Sequence, residues 1–489
     1  MPGLLSPPRL QTAARWLWGL LLLTLPVTTF RYIPGFLGRS LVQPLAFYPL
    51  ALLFPILLLI FLRERSLSLP SNIKPLLAFL FFALAVSLIG FLNAPLPLRE
   101  ATFDDRLLRG WVSLLIGLVF FFIAFWMNRS KEDLQWSLKW IYVGLGLTIA
   151  WSLVQALAVN TSVIPRGLIN DIQLIFSTRP IPARRIIGFA YEPAWLADQI
   201  VIFYLPWLFA ALLSRRSLTG RKWLEPLLFI LSLVVLVFTY SRGGLLSAIG
   251  CMAIVFLLVG RNSLVSAWNW LLAPFKKNSK EIRRGFALVA RIGLLAALAV
   301  AAFTTVNFLS RYEYFSSLWD LSADERPIDY VLDISAGPRL AYALAGYKIY
   351  EGAPLTGVGV GASGLQLLQN YPEWSYPIPE IARQLSPDST LIPNTKSLYV
   401  RLLAETGLPG FWFFIVFLLS FLATIRRLYL SNDTALRFVA IAGLFAWLGI
   451  ILRNLTQDSF TIPIMWVILG IIAGLDPFRL KEIRLKRKL

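Results

Sequence analysis

Stretches of about 20 apolar residues recur along nearly the whole chain, and each is long enough to cross a hydrocarbon core of roughly 30 Å. They fall near 13–29, 41–62, 74–93, 110–127, 136–158, 193–214, 225–241, 243–260, 286–306, 404–425, 435–452 and 462–476. A segment immersed in lipid must satisfy its own backbone hydrogen bonds, so each run is expected to be an α-helix. The pattern predicts an all-α polytopic membrane protein with about twelve transmembrane helices, forming a single membrane domain over 1–489. A hydrophobic content of 57% excludes the soluble classes. The first run lacks a small-residue cleavage site and is followed by further spans, so it reads as a retained helix.

A net charge of +20 raises the question of a nucleic-acid partner, and the distribution of that charge answers it. With a cytoplasmic N-terminus and alternating sides, the external segments hold 18 of the 46 Lys+Arg and 18 of the 26 Asp+Glu. The whole excess then lies on the cytoplasmic side, as the positive-inside rule requires. Both termini are expected to be cytoplasmic. The basic runs Arg215, Arg216, Arg221 and Lys222, Lys276, Lys277 and Lys280, and the tail KEIRLKRKL are topology determinants facing anionic lipid. No nucleic-acid partner is expected. The single Cys251 lies within a span, which leaves no disulfide framework and no thiol metal site.

Two external segments are long. The first, 159–192, carries Arg166, Arg179, Arg184 and Arg185 and runs into GFAYEPAW. The second, 307–397 between the ninth and tenth spans, is rich in Pro, Tyr and Trp and is expected to contain short helices such as 339–350 and part of the active site. A stretch at 261–284 mixes Trp268, Trp270 and Phe275 with basic residues and suits a helix lying in the interface.

Three constellations fall on the external side. In TYSRGGLLS (239–247), Arg242 sits at a hairpin between two spans, with two glycines for a tight turn and close approach of a ligand. An arginine at the membrane edge is costly unless it snorkels or has a partner, and the adjacent glycines favour an anion site. In PRLAYALAGYKIYEGAPLTGVGVG (338–361), Arg339 opens an amphipathic helix ahead of a glycine-rich turn. Gly359–Gly364 fits G-x-G-x-x-G, but a dinucleotide site needs a strand–turn–helix unit, which a single polytopic helical domain does not offer. In KSLYVRLLAETGLPG (396–410), Lys396 closes the large loop, Leu398, Leu402 and Glu405 are at helical spacing, and Gly407, Pro409 and Gly410 mark a break. Asp104 and Asp105 in the loop 94–109, with Arg106 and Arg109 beside them, read as a solvated, ion-paired group.

Taken together these elements resemble the O-antigen ligase and polymerase superfamily of bacterial membrane glycosyltransferases, over about 185–475. In that family the last motif reads His, then Asn, Ser or Gln, nine residues, Gly, two residues, Gly. Here Lys396 and Ser397 precede nine residues, then Gly407, Leu408, Pro409 and Gly410, so the spacing is kept and the histidine is not. The protein contains no histidine at all. Glu192–Pro193 in GFAYEPAW resembles a recurrent feature of the polymerase branch.

The resemblance implies a GT-C-like fold in the bacterial cytoplasmic membrane, with its site on the periplasmic side and neither a nucleotide cofactor nor an obligatory metal. It implies an undecaprenyl-diphosphate-linked glycan as donor and a sugar hydroxyl as acceptor. Arg242 and Arg339 match the family's phosphate-binding arginines, and Arg184 or Arg185 supplement them. The guanidinium fork suits the diphosphate oxygens that gain charge as the sugar leaves. The acceptor must also lose a proton, which in the ligases goes to the motif histidine. Two readings of Lys396 stay open: a lysine made basic by crowding and burial, or a third cation on the diphosphate with a carboxylate as base. The carboxylate candidates are Glu192 and then Asp458, in RNLTQDS. Loss of the histidine favours an O-antigen or exopolysaccharide polymerase, served by a chain-length regulator, over a ligase that caps lipid A core. The alternative of another class is a lipid-linked oligosaccharide transporter; the external clustering of charge and the unlike halves weigh against it.

Overall fold

The computed structural model describes residues 7–33, 43–64, 68–217, 219–260, 336–460 and 462–476, with isolated helical residues between 289 and 307. The basic tail, the interfacial stretch 261–284, most of the span 286–306 and the first part of the large loop lie outside the described residues.

What is described is helical, with three isolated β-bridges and no strand among the described residues. We number the helices α1 (Pro7–Thr24), α2 (Phe47–Glu64), α3 (Ile73–Gly90), α4 (Phe103–Trp126), α5 (Lys131–Asn160) and α6 (Arg166–Phe176). Then follow α7 (Pro193–Ser214), α8 (Leu224–Phe238), α9 (Arg242–Val259), α10 (Gly337–Gly352), α11 (Pro379–Leu385), α12 (Leu398–Tyr429), α13 (Thr434–Arg453) and α14 (Pro463–Gly474). Seven of them, α3, α4, α5, α7, α9, α12 and α13, are long and apolar enough to cross a membrane. Shorter apolar helices coincide with α2, α8 and α14. This is an all-α membrane protein.

The helix starts follow from capping chemistry. Ser130 accepts from the Asp133 N–H at 3.1 Å, and Asp433 from Ala435 at 2.9 Å, so each satisfies an otherwise orphaned amide of the first turn. Proline opens α7, α11 and α14, where its missing N–H costs nothing. Asp104 and Asp105 lie in the first turn of α4, not in a loop, and Asp105 pairs with Arg109 one turn on. An acidic first turn complements the helix dipole.

Two helices form the centre. Every residue of α14 is buried, and so is 89% of the apolar window of α7, against 28% for α3 on the periphery. Glycines set the close packing of α4 on α14. A Cβ on Gly117 would strike the Trp466 indole, and one on Gly470 would strike the Phe121 carbonyl. Lipid supplies no hydrophobic drive between helices, so such close backbone approach is what holds them. Within α7, residues Gln199–Tyr204 form a π-helical turn. Turns of this kind locally reset the helix face and recur at functional sites.

The described part of the large loop folds around its own small core of Tyr342, Ile349, Leu367, Tyr371 and Ile381, closed by Ala404 of α12. Tyr342 donates to Glu380 at 2.7 Å, Gln384 donates to the Tyr342 hydroxyl at 2.7 Å, and Tyr371 donates to Gln384 at 2.8 Å. Burial pushes both phenols above their usual range, so they remain neutral donors. The glycine-rich turn pins this unit to the helices: Val358 and Gly359 donate to the carbonyls of Ala404 and Glu405, each at 2.9 Å. Gly357 and Gly361 have positive φ, with no room for a Cβ against the α12 backbone and the Arg106 carbonyl respectively. α12 is broken at Gly407 (φ 64°, ψ −174°), as the GLPG sequence predicts, and Leu408 donates to the Pro354 carbonyl there. The segment 159–192 holds a helix, α6, that the sequence pattern does not announce.

Candidate active site

The α8–α9 hairpin begins with Tyr240 in a left-handed turn (φ 48°), after which Ser241 caps α9 through the Gly244 amide at 3.3 Å. Arg242 is therefore the first residue of a helix, and it is buried. Arg185 clamps the hairpin from outside: its Nε donates to the Thr239 carbonyl at 2.8 Å and an Nη to Tyr240 at 3.3 Å. Arg184 beside it is exposed. The two glycines of SRGG are helical and do not make the turn. A Cβ on Gly243 would lie 2.6 Å from an Arg453 guanidinium nitrogen, and one on Gly244 2.6 Å from the Ala197 methyl. Their smallness admits Arg453 and α7 to the start of α9.

Arg453, the last residue of α13, is 3% exposed and forms an ion pair with Asp198 of α7, which is 2% exposed. The pair joins residues 255 apart in sequence, deep in the bundle. Removing one member of such a pair leaves an uncompensated buried charge, at a cost of roughly 3–5 kcal/mol. Arg339, in the first turn of α10, is exposed yet close enough to act electrostatically on Asp198. The large loop thus brings its arginine over the same carboxylate.

Lys396 and Asp458 also meet. Lys396 is half-buried in a left-handed conformation (φ 54°), and its backbone N–H donates to Asp458 Oδ2 at 3.2 Å. Leu398 donates to the carbonyls of Asn454 and Gln457, at 2.9 and 2.7 Å, so the start of α12 is stapled to the end of α13. Arg401 donates to the Asp458 carbonyl at 2.7 Å and to Glu405 at 3.0 Å. Buried Glu405 accepts a further bond from Ser363 at 2.9 Å, which makes it the anchor between GLPG and the glycine-rich turn.

Glu192 pairs with Arg179 at 3.1 Å, with both side chains partly exposed. Arg179 also lies over the Tyr191 ring at 4.5 Å, and Tyr191 contacts Trp195, with centroids 5.3 Å apart. One turn further along α7, Trp195 and Asp198 line a small cavity with Thr28, Gln199 and the start of α14. No cluster of His, Cys, Asp and Glu suited to a metal occurs among the described residues.

Residues 227–415 match the family described as O-antigen ligase. The matched stretch is similar to that family and spans less than half of the chain. This agrees with the superfamily read from the motifs, and it supports membrane glycosyltransferase activity of the ligase/polymerase type in a multi-pass envelope protein. The match takes in Arg242, Arg339 and Lys396, whereas Asp198, Arg453 and Asp458 lie beyond its ends. No curated protein matches the chain.

Sequence reasoning missed the Asp198–Arg453 pair. Asp198 sits inside an apolar run and Arg453 at the end of another. A charge in such a run is itself a signal, since it is tolerated only with a partner.

Proposed function

We propose that this protein polymerises undecaprenyl-diphosphate-linked oligosaccharide repeat units at the outer face of the cytoplasmic membrane. In this reading the chain crosses the membrane about twelve times, with both termini inside and 307–397 as the large external loop. The observation that carries it is the convergence of cations from distant elements. Arg453 lies against Gly243, next to Arg242, while Arg339 from the large loop acts on the carboxylate that holds Arg453. Such a cluster is built to receive an anion, and the guanidinium fork fits the two phosphates that gain charge as the glycosidic C–O bond breaks.

Arg242 and Arg339 hold the diphosphate in this scheme. Lys396 acts as a third cation, and Arg185 serves chiefly to hold the hairpin's carbonyls in place. The acceptor's hydroxyl oxygen attacks the anomeric carbon, and the bonding pair leaves with the diphosphate. Lysine where the ligases keep histidine favours a second lipid-linked repeat unit as acceptor. Purified protein supplied with undecaprenyl-diphosphate oligosaccharide is expected to yield a ladder of lengthened lipid-linked glycan. Product found only as capped lipid A core would favour the ligase, and export without elongation would favour a transporter.

A further inference from the structure

One carboxylate in the bundle is left half-used. Asp198 Oδ1 accepts from Arg453 Nε, but Oδ2 is buried without a hydrogen-bond partner among the described residues. The Gln457 side chain approaches the same carboxylate without closing a bond of ordinary geometry. Leaving a charged oxygen buried and unmatched is costly, so an acceptor kept in this state is suited to a donor that arrives with the substrate.

The surroundings fit a sugar hydroxyl. Asp198 lines a cavity with Trp195, Thr28 and Gln199, and Gln199 Oε1 is likewise buried without a partner among the described residues. The Gln199 amide nitrogen gives one N–H to the Pro26 carbonyl at 2.9 Å, which leaves its oxygen as a free acceptor beside Asp198 Oδ2. The cavity has room for about one water-sized group, so a single hydroxyl is what could reach these two buried oxygens. Trp195, which lines the cavity and contacts Tyr191, adds an aromatic wall beside it. Asp198 is also coupled through Arg453 to the neighbourhood of Arg242, which is where the donor's diphosphate sits if the proposed function holds.

We propose that Asp198 is the general base of the transfer. The inference rests on the glycosyltransferase reading above. The acceptor hydroxyl gives its proton to Asp198 Oδ2, its oxygen bonds to the anomeric carbon, and the C–O bond to the diphosphate breaks with the electron pair leaving on phosphate. Protonation of Asp198 frees the charge of Arg453 just as negative charge appears on the departing group. Charge is thereby conserved within the cluster, and the absence of histidine is accounted for.

The test uses the full chain in nanodiscs with undecaprenyl-diphosphate repeat units. Asp198→Asn is expected to lower elongation by about 10²–10⁴-fold, the usual worth of a general base, with donor affinity within about threefold of wild type. Sodium azide then discriminates base from scaffold, because an anionic nucleophile has no proton to lose. Azide is expected to restore release of undecaprenyl diphosphate by Asp198→Asn, with formation of the glycosyl azide. If Asp198→Asn does not fold, the neutral pair Asp198→Asn with Arg453→Gln is used for the elongation and azide measurements, each against Arg453→Gln alone, since a buried ion pair can be replaced without loss of fold. Elongation by either variant near the wild-type rate overturns the proposal. So does a loss of elongation that azide fails to rescue. Wild-type protein that makes no ladder counts against the polymerase reading alone, and the azide comparison is then run with the ligase acceptor.

Discussion

The two ends of the helix bundle treat buried carboxylates differently. At the end where α12 finishes, Asp476 is fully buried and both its oxygens accept from Arg427, with Ser71 adding a bond at 2.9 Å. Beside it Asn72 donates to Ser420 at 2.7 Å, and Lys131 pairs with Asp433. Those groups are saturated and tie helix ends together. At the end where α12 begins, Glu405 is saturated in the same way by Arg401 and Ser363, whereas Asp198 keeps one oxygen open. Burial and ion pairing alone therefore do not distinguish a fastener from a reacting group. Residual hydrogen-bonding capacity does.

Asp476→Ala should produce the largest change in stability, about 1–3 kcal/mol, because it removes the buried acceptor of Arg427 and Ser71 while the Arg427 side chain stays 37% exposed. Melting in detergent would register it, while the elongation rate per folded molecule stays at the wild-type level; a matching loss of that rate would erase the contrast between the ends. Arg242→Ala should reverse the pattern, slowing elongation by about 10²–10³-fold, as loss of a group that stabilises developing charge does, with a smaller shift in melting. Initial rates within threefold of wild type would remove Arg242 from the leaving-group site. Gly243→Ala should cost about ten- to a hundredfold in rate, the equivalent of roughly 1–3 kcal/mol of overpacking against Arg453. Full activity in that variant would show that Arg453 can move without consequence.

Lys396 gives a smaller and more diagnostic effect. Lys396→Ala should slow elongation about tenfold, near 1.4 kcal/mol, and Lys396→Arg should retain most of the rate if a cation is all that is needed. An equal loss in both would favour lysine as the base. The smallest effect belongs to Lys131–Asp433 at the opposite end. The bond from Lys131 holds the Asp433 carboxyl below its ordinary range, so its stabilisation is present above about pH 4 and fades as the pH falls further. For a partly exposed pair the contribution is under about 1 kcal/mol. Lys131→Met should flatten that acid limb of the melting profile and leave the neutral region unchanged.

Much of the helical framework was legible because apolar runs of bilayer length leave the backbone one solution. The break at Gly407 and the helix behind Arg339 were equally readable, from glycine–proline chemistry and from periodicity. The SRGG sequence suggests a turn, whereas its glycines serve packing, because only the fold reveals that Arg453 and Ala197 arrive at that spot. Glu192 stands out in the sequence for its proline-linked motif, yet it pairs with Arg179, and the carboxylate with an open oxygen is six residues further along. Helical periodicity places Asp198 on the face of Trp195, but it says nothing of a partner that lies on α13.

The kink at Gly407 separates two jobs that one continuous rod would have to share. Beyond it, Leu408–Tyr429 extends roughly 33 Å at about 1.5 Å per residue, close to the thickness of a hydrocarbon core. Ahead of it, the two turns bearing Arg401 and Glu405 are bonded to the glycine-rich turn and to the end of α13. A rod that tilts to match a thinner or thicker bilayer meets at the kink a break in the helical hydrogen-bond ladder. The shelf that carries Lys396 is thus held in register against α13 by bonds that the lower rod does not share.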